Sequence, residues 1–156
     1  MGTVRVQAER QVGAPPRLVY ECLADMHQHH HRFLPDAFSD FEVESGGVGE
    51  GTVIGYRLTA GGRTRAYRMT ISEPEPGRVL RESDTGSSLV TTFTVDPDGA
   101  GSRVRIETSW AGAGGVGGFF EALFAPRVIR RIYLDELGRL DAYARGRTAA
   151  GQPESG

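Results

Sequence analysis

The sequence contains no lysine and no asparagine, so all 18 of its basic residues are arginine. The absence of lysine excludes a Schiff-base enzyme and a P-loop nucleotide site. The absence of asparagine excludes a Cys/His/Asn triad and an N-glycosylation acceptor. The single cysteine, Cys22, cannot form an internal disulfide and belongs to no CxxC motif, which favours a role in core packing.

Long apolar runs and an excess of one charge are also missing. No stretch approaches the ~18 consecutive apolar residues of a membrane span, and no secretory signal opens the chain, so the cytoplasm is the expected location. The net charge is only −2, with arginines spread among acidic residues, so nucleic acid is not an expected partner. The length of 156 residues predicts one domain, as a monomer or homodimer.

The first part of the chain predicts one strand and two short helices. Residues 3–12 alternate between apolar and polar side chains, which is typical of a half-buried strand. The break at residues 13–16, which ends in two prolines, predicts a short helix carrying Leu18, Val19, Cys22 and Leu23. A second short helix or turn is expected from His27 to Leu34, before Pro35.

Residues 38–110 read as six strands separated by Gly- and Pro-containing turns, which indicates a meander. Alternation predicts which side chains face inward. They are Ile54, Tyr56, Leu58, Tyr67, Met69, Ile71, Leu89, Thr91, Phe93, Val95, Val104, Ile106, Thr108 and Trp110. The opposite, solvated face is expected to carry Arg57, Arg68, Arg103, Arg105 and Glu107.

The C-terminal part predicts one long helix. Apolar side chains recur at helical spacing from Phe119 to Leu140, and Pro126 is expected to kink this helix. The glycine-rich run 111–118 before it predicts a flexible connector that could act as a mobile lip. We therefore expect a single domain over residues 1–145 and a disordered tail over 146–156.

This order of elements predicts an α+β architecture with an internal cavity. A sheet of seven strands coils, and one helix laid across its concave face cannot fill all the space that the curvature leaves. Concave cavities lined by apolar and aromatic side chains are where small molecules bind.

Several segments resemble the START-like, or SRPBCC, superfamily, which includes polyketide cyclases and dehydrases, coenzyme Q-binding proteins and lipid-transfer domains. They are the first strand into residues 14–20, the Phe33-Leu34-Pro35 segment, the Gly-rich residues 47–52, residues 73–78, and the strands at 92–95 and 104–106. The resemblance covers residues 3 to 145. It implies a helix-grip fold of the birch-pollen-allergen type around a hydrophobic ligand cavity.

Three functions are compatible with this resemblance. The first is binding of a hydrophobic, lipid-like or aromatic polyketide-like small molecule for transport, sensing or sequestration. The second is a polyketide aromatase/cyclase or dehydrase that uses a buried acid or tyrosine. The third is a protein-interaction module with a filled core. No nucleophile, base and orienting group can be assembled from spacing, so catalytic residues stay unassigned and no cofactor is expected.

The most conspicuous local feature is the histidine cluster at residues 27–31. On a helix His27 and His31 would share a face, as two-histidine metal sites require. Only Asp25 or Asp36 could complete a ligand set, and the family pattern has no metal here, so we expect no metal site.

Side chains with inward parity are the better candidates for contacting a ligand. A carboxylate held in an apolar cavity has a raised pKa and can act as a general acid or base, which favours Glu82 or Asp84 if their strand keeps its register. The alternative for Glu82 is a rim pair with Arg81 or Arg65. The predicted ligand-binding residues are Tyr56, Tyr67, Met69, Glu82, Thr91, Phe93, Thr108, Trp110, Phe120 and Phe124.

Overall fold

The fold consists of one sheet, two short helical segments and one long helix. The structure is a computed structural model that describes residues 2–112 and 115–151, with side chains described over 2–112 and 125–150. The strands are β1 (Thr3–Val12), β2 (Phe38–Ser45), β3 (Val53–Ala60), β4 (Arg63–Glu75), β5 (Val79–Asp84), β6 (Val90–Asp98) and β7 (Gly101–Ala111). The helices are α1 (Pro16–Ala24), a 3-10 helix (His30–Phe33) and α2 (Gly115–Gly151).

All seven strands form one antiparallel sheet in the order β1-β7-β6-β5-β4-β3-β2. Consecutive strands from β2 to β7 are neighbours, which confirms the predicted meander, and β1 closes on β7. The long helix α2 packs against β1, α1 and the 3-10 helix. This is the helix-grip arrangement that the sequence predicted, with both β1 and β2 at the edges of the sheet. None of the helices in the described part of the chain is apolar over a long enough stretch to cross a membrane.

Burial follows the alternation of the strands. In β7, Val104, Ile106 and Thr108 are buried, whereas Arg103 and Arg105, which alternate with them, are exposed. Buried side chains at alternate positions put every second residue on the concave face, which α2 covers. In β6, Thr91, Phe93 and Val95 are buried in the same way, so the predicted inward set is confirmed for these two strands.

The predicted helix or turn from His27 to Leu34 is a turn followed by the 3-10 helix His30–Phe33. The Asp25 carboxylate accepts hydrogen bonds from the backbone N–H groups of His27 and Gln28 and stabilises this turn. The structure differs from the sequence prediction at the two ends of α2. The glycine-rich connector is shorter than expected, since α2 begins at Gly115.

The second difference lies at the C-terminal end, where α2 continues to Gly151 instead of giving way to a disordered tail at Gly146. The reason is an anchor to α1: the Arg147 guanidinium donates to the Cys22 Sγ at 3.6 Å and to the Glu21 carboxylate at 3.3 Å. Residues 152–156 of the predicted tail lie outside the described residues.

Asp141 ties α2 to the end of β1. Its carboxylate accepts a hydrogen bond from the Gly13 N–H at 2.8 Å and an ion-paired one from Arg10 at 3.1 Å. Burial alone would raise the pKa of Asp141, but the Gly13 and Arg10 bonds outweigh burial and lower it below its ordinary value. The anchor therefore depends on the ionised carboxylate.

We expect Asp141→Asn to lower the free energy of unfolding by about 1–3 kcal/mol at neutral pH, because the ion pair with Arg10 is lost and the Gly13 N–H keeps only a neutral acceptor. A group with a lowered folded pKa stabilises the protein above its unfolded pKa, and this stabilisation is lost as pH falls through the folded pKa. The difference in free energy of unfolding between the wild type and Asp141→Asn should thus decrease as the pH falls. Urea unfolding at several pH values measures it, with Asp135→Asn, an exposed partner of Arg139, as the control.

Candidate ligand-binding site

The interior between the sheet and α2 contains a cavity lined by side chains from β2 to β7, the 3-10 helix and α2. Its apolar wall includes Ile54, Phe93 and Ile129, and its polar groups include Glu82 and Tyr133. The enclosed volume is about 30 Å³, enough for one or two water molecules at ~10–15 Å³ each. The space is thus smaller than the sequence led us to expect.

A second, open depression of about 490 Å³ lies outside this cavity, between the 3-10 helix region and the edge strand β2. Leu34, Phe38 and Phe41 line both spaces and therefore form the wall between them. All three are only partly buried. We call these three residues the apolar wall.

Three ionisable side chains meet at the cavity: His30 of the 3-10 helix, Glu82 of β5 and Glu136 of α2. Each is at most 4% exposed. The His30 Nδ1 lies 2.6 Å from the Leu23 carbonyl oxygen, which only accepts hydrogen bonds, so this nitrogen carries a proton. The other ring nitrogen, Nε2, then faces the Glu136 carboxylate at 3.6 Å.

These surroundings shift the pKa values of Glu82 and His30. Burial raises the pKa of Glu82 to about 7, although the positive charge on His30 opposes this shift. Burial by itself would lower the pKa of His30, but Glu136 and Glu82 outweigh it, so the pKa is raised. The Glu82 carboxyl can therefore take up or release a proton near neutral pH, as a general acid or base requires.

A chain of hydroxyl groups runs along the opposite side of the cavity. The Thr91 and Thr108 hydroxyls are 2.7 Å apart on β6 and β7, and Thr108 is in turn hydrogen-bonded to the Tyr133 hydroxyl of α2. Burial raises the pKa of Tyr133 above its ordinary value, so its phenol stays protonated at neutral pH. Tyr133 can thus donate a hydrogen bond but not act as a base.

Aromatic rings connect the cavity to its outer end. The Phe38 and Tyr56 ring centroids are 5.2 Å apart, and those of Tyr56 and Tyr67 are 5.7 Å apart. This row begins in the apolar wall and continues across β3 and β4. The rings are inclined to one another, by 70° and 37°, and offer both edges and faces to the ring of a ligand.

The structure brings six of the ten predicted ligand-binding residues to the cavity: Tyr56, Tyr67, Glu82, Thr91, Phe93 and Thr108. Met69 and Trp110 are buried but do not line it. The side chains of Phe120 and Phe124 lie outside the described residues. Glu82 is not at the rim beside Arg81 or Arg65, and Asp84 instead accepts the Ser87 hydroxyl in the β5–β6 turn.

Three polar residues of the site, His30, Tyr133 and Glu136, were not among the predicted ligand-binding residues. His30 is one of four histidines between residues 27 and 31, and only the fold shows which of them faces the cavity. A signal for Glu136 does exist in the sequence: it stands three residues after Tyr133 and four before Leu140, on the apolar face of the helix. A carboxylate at such a position is buried when the helix docks.

The two histidines considered for a metal site point elsewhere. The His27 Nε2 is 3.0 Å from the Gly46 carbonyl oxygen, and the His31 ring stacks on Phe41. Over the residues that the structure describes, no three His, Cys, Asp or Glu side chains are grouped closely enough to hold a metal ion.

Both the sequence and the fold of this chain are similar to those of known proteins. The family model for polyketide cyclases/dehydrases and lipid transport matches residues 3–145. The chain belongs to this family. Comparison with curated proteins finds no match.

Solved structures of other proteins share the family fold. The KanY protein is 36% identical, with a TM-score of 0.83, over 94% of this chain and 100% of its own. An aromatase/cyclase named Zhui, from a Streptomyces species, is 18% identical, with a TM-score of 0.78, over 97% of this chain and 100% of its own. A major latex-like protein from Panax ginseng is 14% identical, with a TM-score of 0.71, over 91% of this chain and 97% of its own. At such low identities the last two show the shared fold alone.

We expect the stability of the protein to fall as pH rises from about 5 to about 8. A carboxyl whose folded pKa is raised from 4.5 to about 7 binds its proton more tightly in the folded state. Its ionisation therefore costs about 3 kcal/mol of stability. The raised pKa of His30 acts in the same direction.

Glu82→Gln, which cannot ionise, should remove most of this loss and be more stable than the wild type at pH 8. Urea unfolding across this pH range measures the effect. Glu107→Gln, on the opposite face of the sheet, is the control. A wild-type stability that does not change with pH would contradict the assignment of Glu82.

Proposed function

We propose that this protein binds a hydrophobic, ring-containing small molecule between the sheet and α2, for transport, sensing or sequestration. The observation that supports this most strongly is the set of three buried ionisable groups beside an apolar cavity. Burying such groups is unfavourable for folding, so a protein without use for them is more stable with apolar residues in their place. Glu82 and Tyr133 provide an acceptor and a donor for the polar groups of a ligand.

Binding requires the interior to expand, since its enclosed volume is far below the ~300 Å³ of a small ligand pocket. The apolar wall offers the shortest route. Outward rotation of Leu34, Phe38 and Phe41 joins the cavity to the depression of about 490 Å³ beyond it. β2 can yield there, because it is an edge strand whose pairing with β3 is interrupted by irregularities.

N-phenyl-1-naphthylamine, a neutral fluorescent aromatic molecule, tests the binding function directly. We expect the wild type to bind it with a stoichiometry of one and Ile129→Trp, which fills the cavity, to bind it at least tenfold more weakly. Overpacking costs about 1–3 kcal/mol, so a thermal melt must show that the variant is folded.

Leu134→Trp is the matched control, because it adds the same ring to the same helix at a position that is 39% exposed. Its affinity for the probe should equal that of the wild type. Equal affinities of all three proteins would place the probe elsewhere and contradict the proposal. If the probe binds as expected, native mass spectrometry of the protein from its own host identifies the natural ligand.

A second candidate is an aromatase/cyclase activity, favoured by the pKa of about 7 at Glu82. The ionised carboxylate would take a proton from a methylene between two carbonyl groups. The resulting carbanion would attack the ketone carbon that closes a six-membered ring, and the alkoxide formed would take the proton back from Glu82. Loss of one water molecule and enolisation of the remaining ring ketones would then make the ring aromatic. Tyr133 is positioned to donate a hydrogen bond to the developing oxyanion.

A synthetic linear tetraketone, nonane-2,4,6,8-tetraone, distinguishes catalysis from binding. We expect the wild type to accelerate formation of the aromatic product, followed by absorbance and by the mass loss of one water. Glu82→Gln should lower the rate at least a hundredfold, in line with the typical contribution of a general base. Binding of the tetraketone without turnover would leave the first function and exclude the second for this compound.

Location and assembly are part of the same proposal. We propose a cytoplasmic protein that acts as a monomer or homodimer and needs neither a cofactor nor nucleic acid. Its near-neutral charge and dispersed arginines support this. Size-exclusion chromatography with light scattering, before and after addition of the probe, determines the oligomeric state.

A further inference from the structure

Arg65 lies on the concave face of the sheet, at the outer end of the cavity. It shares the parity of Tyr67 and Met69 along β4 and pairs across the strands with Leu58, which lines the cavity. Leu58 in turn pairs with Phe38 of the apolar wall. Neighbouring strands are ~4.8 Å apart, so Arg65 on β4 lies about 10 Å from Phe38 on β2.

The Arg65 guanidinium is held in this place by an aromatic ring. Its central carbon, Cζ, lies 5.0 Å from the centroid of the Tyr67 ring. Such a stack fixes the orientation of the guanidinium and leaves its N–H groups free to point outward. The aromatic row from Phe38 through Tyr56 to Tyr67 therefore ends in a positive charge.

This charge is not neutralised by the protein within the described residues. The neighbouring arginines on the convex face are paired: Arg57 with Asp40 at 3.3 Å, and Arg68 with Glu44. The Arg65 guanidinium stacks on the Tyr67 ring, and no carboxylate of the described residues forms an ion pair with it. The same holds for Arg63, which lies two residues earlier on the same face of β4. Both arginines are exposed.

We propose that Arg65, assisted by Arg63, binds an anionic oxygen group of the ligand, such as a carboxylate or a phosphate. This inference rests on the proposed binding function and narrows the ligand to an amphipathic anion. The apolar body lies along the aromatic row inside the protein, and the anionic end stays at the mouth. A guanidinium can bind two oxygens of such a group with parallel hydrogen bonds.

A matched pair of probes separates the anionic group from the apolar body. 8-anilinonaphthalene-1-sulfonate has the ring system of N-phenyl-1-naphthylamine with one added sulfonate. We expect Arg65→Gln to weaken binding of the sulfonate probe about fivefold or more and to leave the neutral probe within twofold, as loss of a charge-assisted contact predicts. The difference should decrease with salt.

Arg81→Gln is the control. Arg81 is likewise exposed and has no carboxylate partner among the described residues, but it alternates with the buried Leu80 and Glu82 and so lies on the convex face. Its loss should leave both probes unaffected. Equal weakening by Arg65→Gln and Arg81→Gln would mean a general charge effect and overturn the inference.

The remaining outcomes are also decisive. Weakening of both probes by Arg65→Gln would assign this residue to the packing of Tyr67 and overturn the anion site while keeping the binding function. The anion site would also be overturned if the affinity for the sulfonate probe is the same in the wild type, in Arg65→Gln and in the double variant Arg63→Gln/Arg65→Gln. Failure of the wild type to bind either probe would overturn the proposed function, and the inference with it.

Discussion

The contact between His30 and Glu136 joins the parts of the molecule that define its interior. It connects the 3-10 helix to the long helix across the concave face of the sheet, with Glu82 beside it. Ionisable groups are stable in an apolar interior only when they compensate one another's charge. The position of α2 over the sheet and the protonation of the cavity are therefore coupled, and any change in one affects the other.

The interior combines this charged cluster with a surface that is otherwise apolar. The hydroxyls of Thr91, Thr108 and Tyr133 form a hydrogen-bonded chain on one side, and the aromatic row covers another. Polar groups at a few fixed points in an apolar cavity are typical of sites that bind small molecules. The family of this chain includes both ligand carriers and cyclases, and the same arrangement is suited to either.

The sequence predicted most of the fold because its signals are local. Alternation in β7 assigned Val104, Ile106 and Thr108 to the inside, and helical spacing assigned Tyr133 and Leu137 to the buried face of α2. It predicted the ends of the helices less well. The anchoring of Arg147 by α1 depends on contacts between residues far apart in the chain, which no local pattern records.

What the sequence by itself determined is which side chains face inward, because strand and helix periodicity depend only on neighbouring residues. This was sufficient to select Tyr56, Glu82 and Thr108 as candidates for the cavity. Only the tertiary structure decided which inward residues meet. Residues 30, 82 and 136 are far apart in the chain and are brought together by the docking of α2, and the small enclosed volume follows from how closely that helix packs.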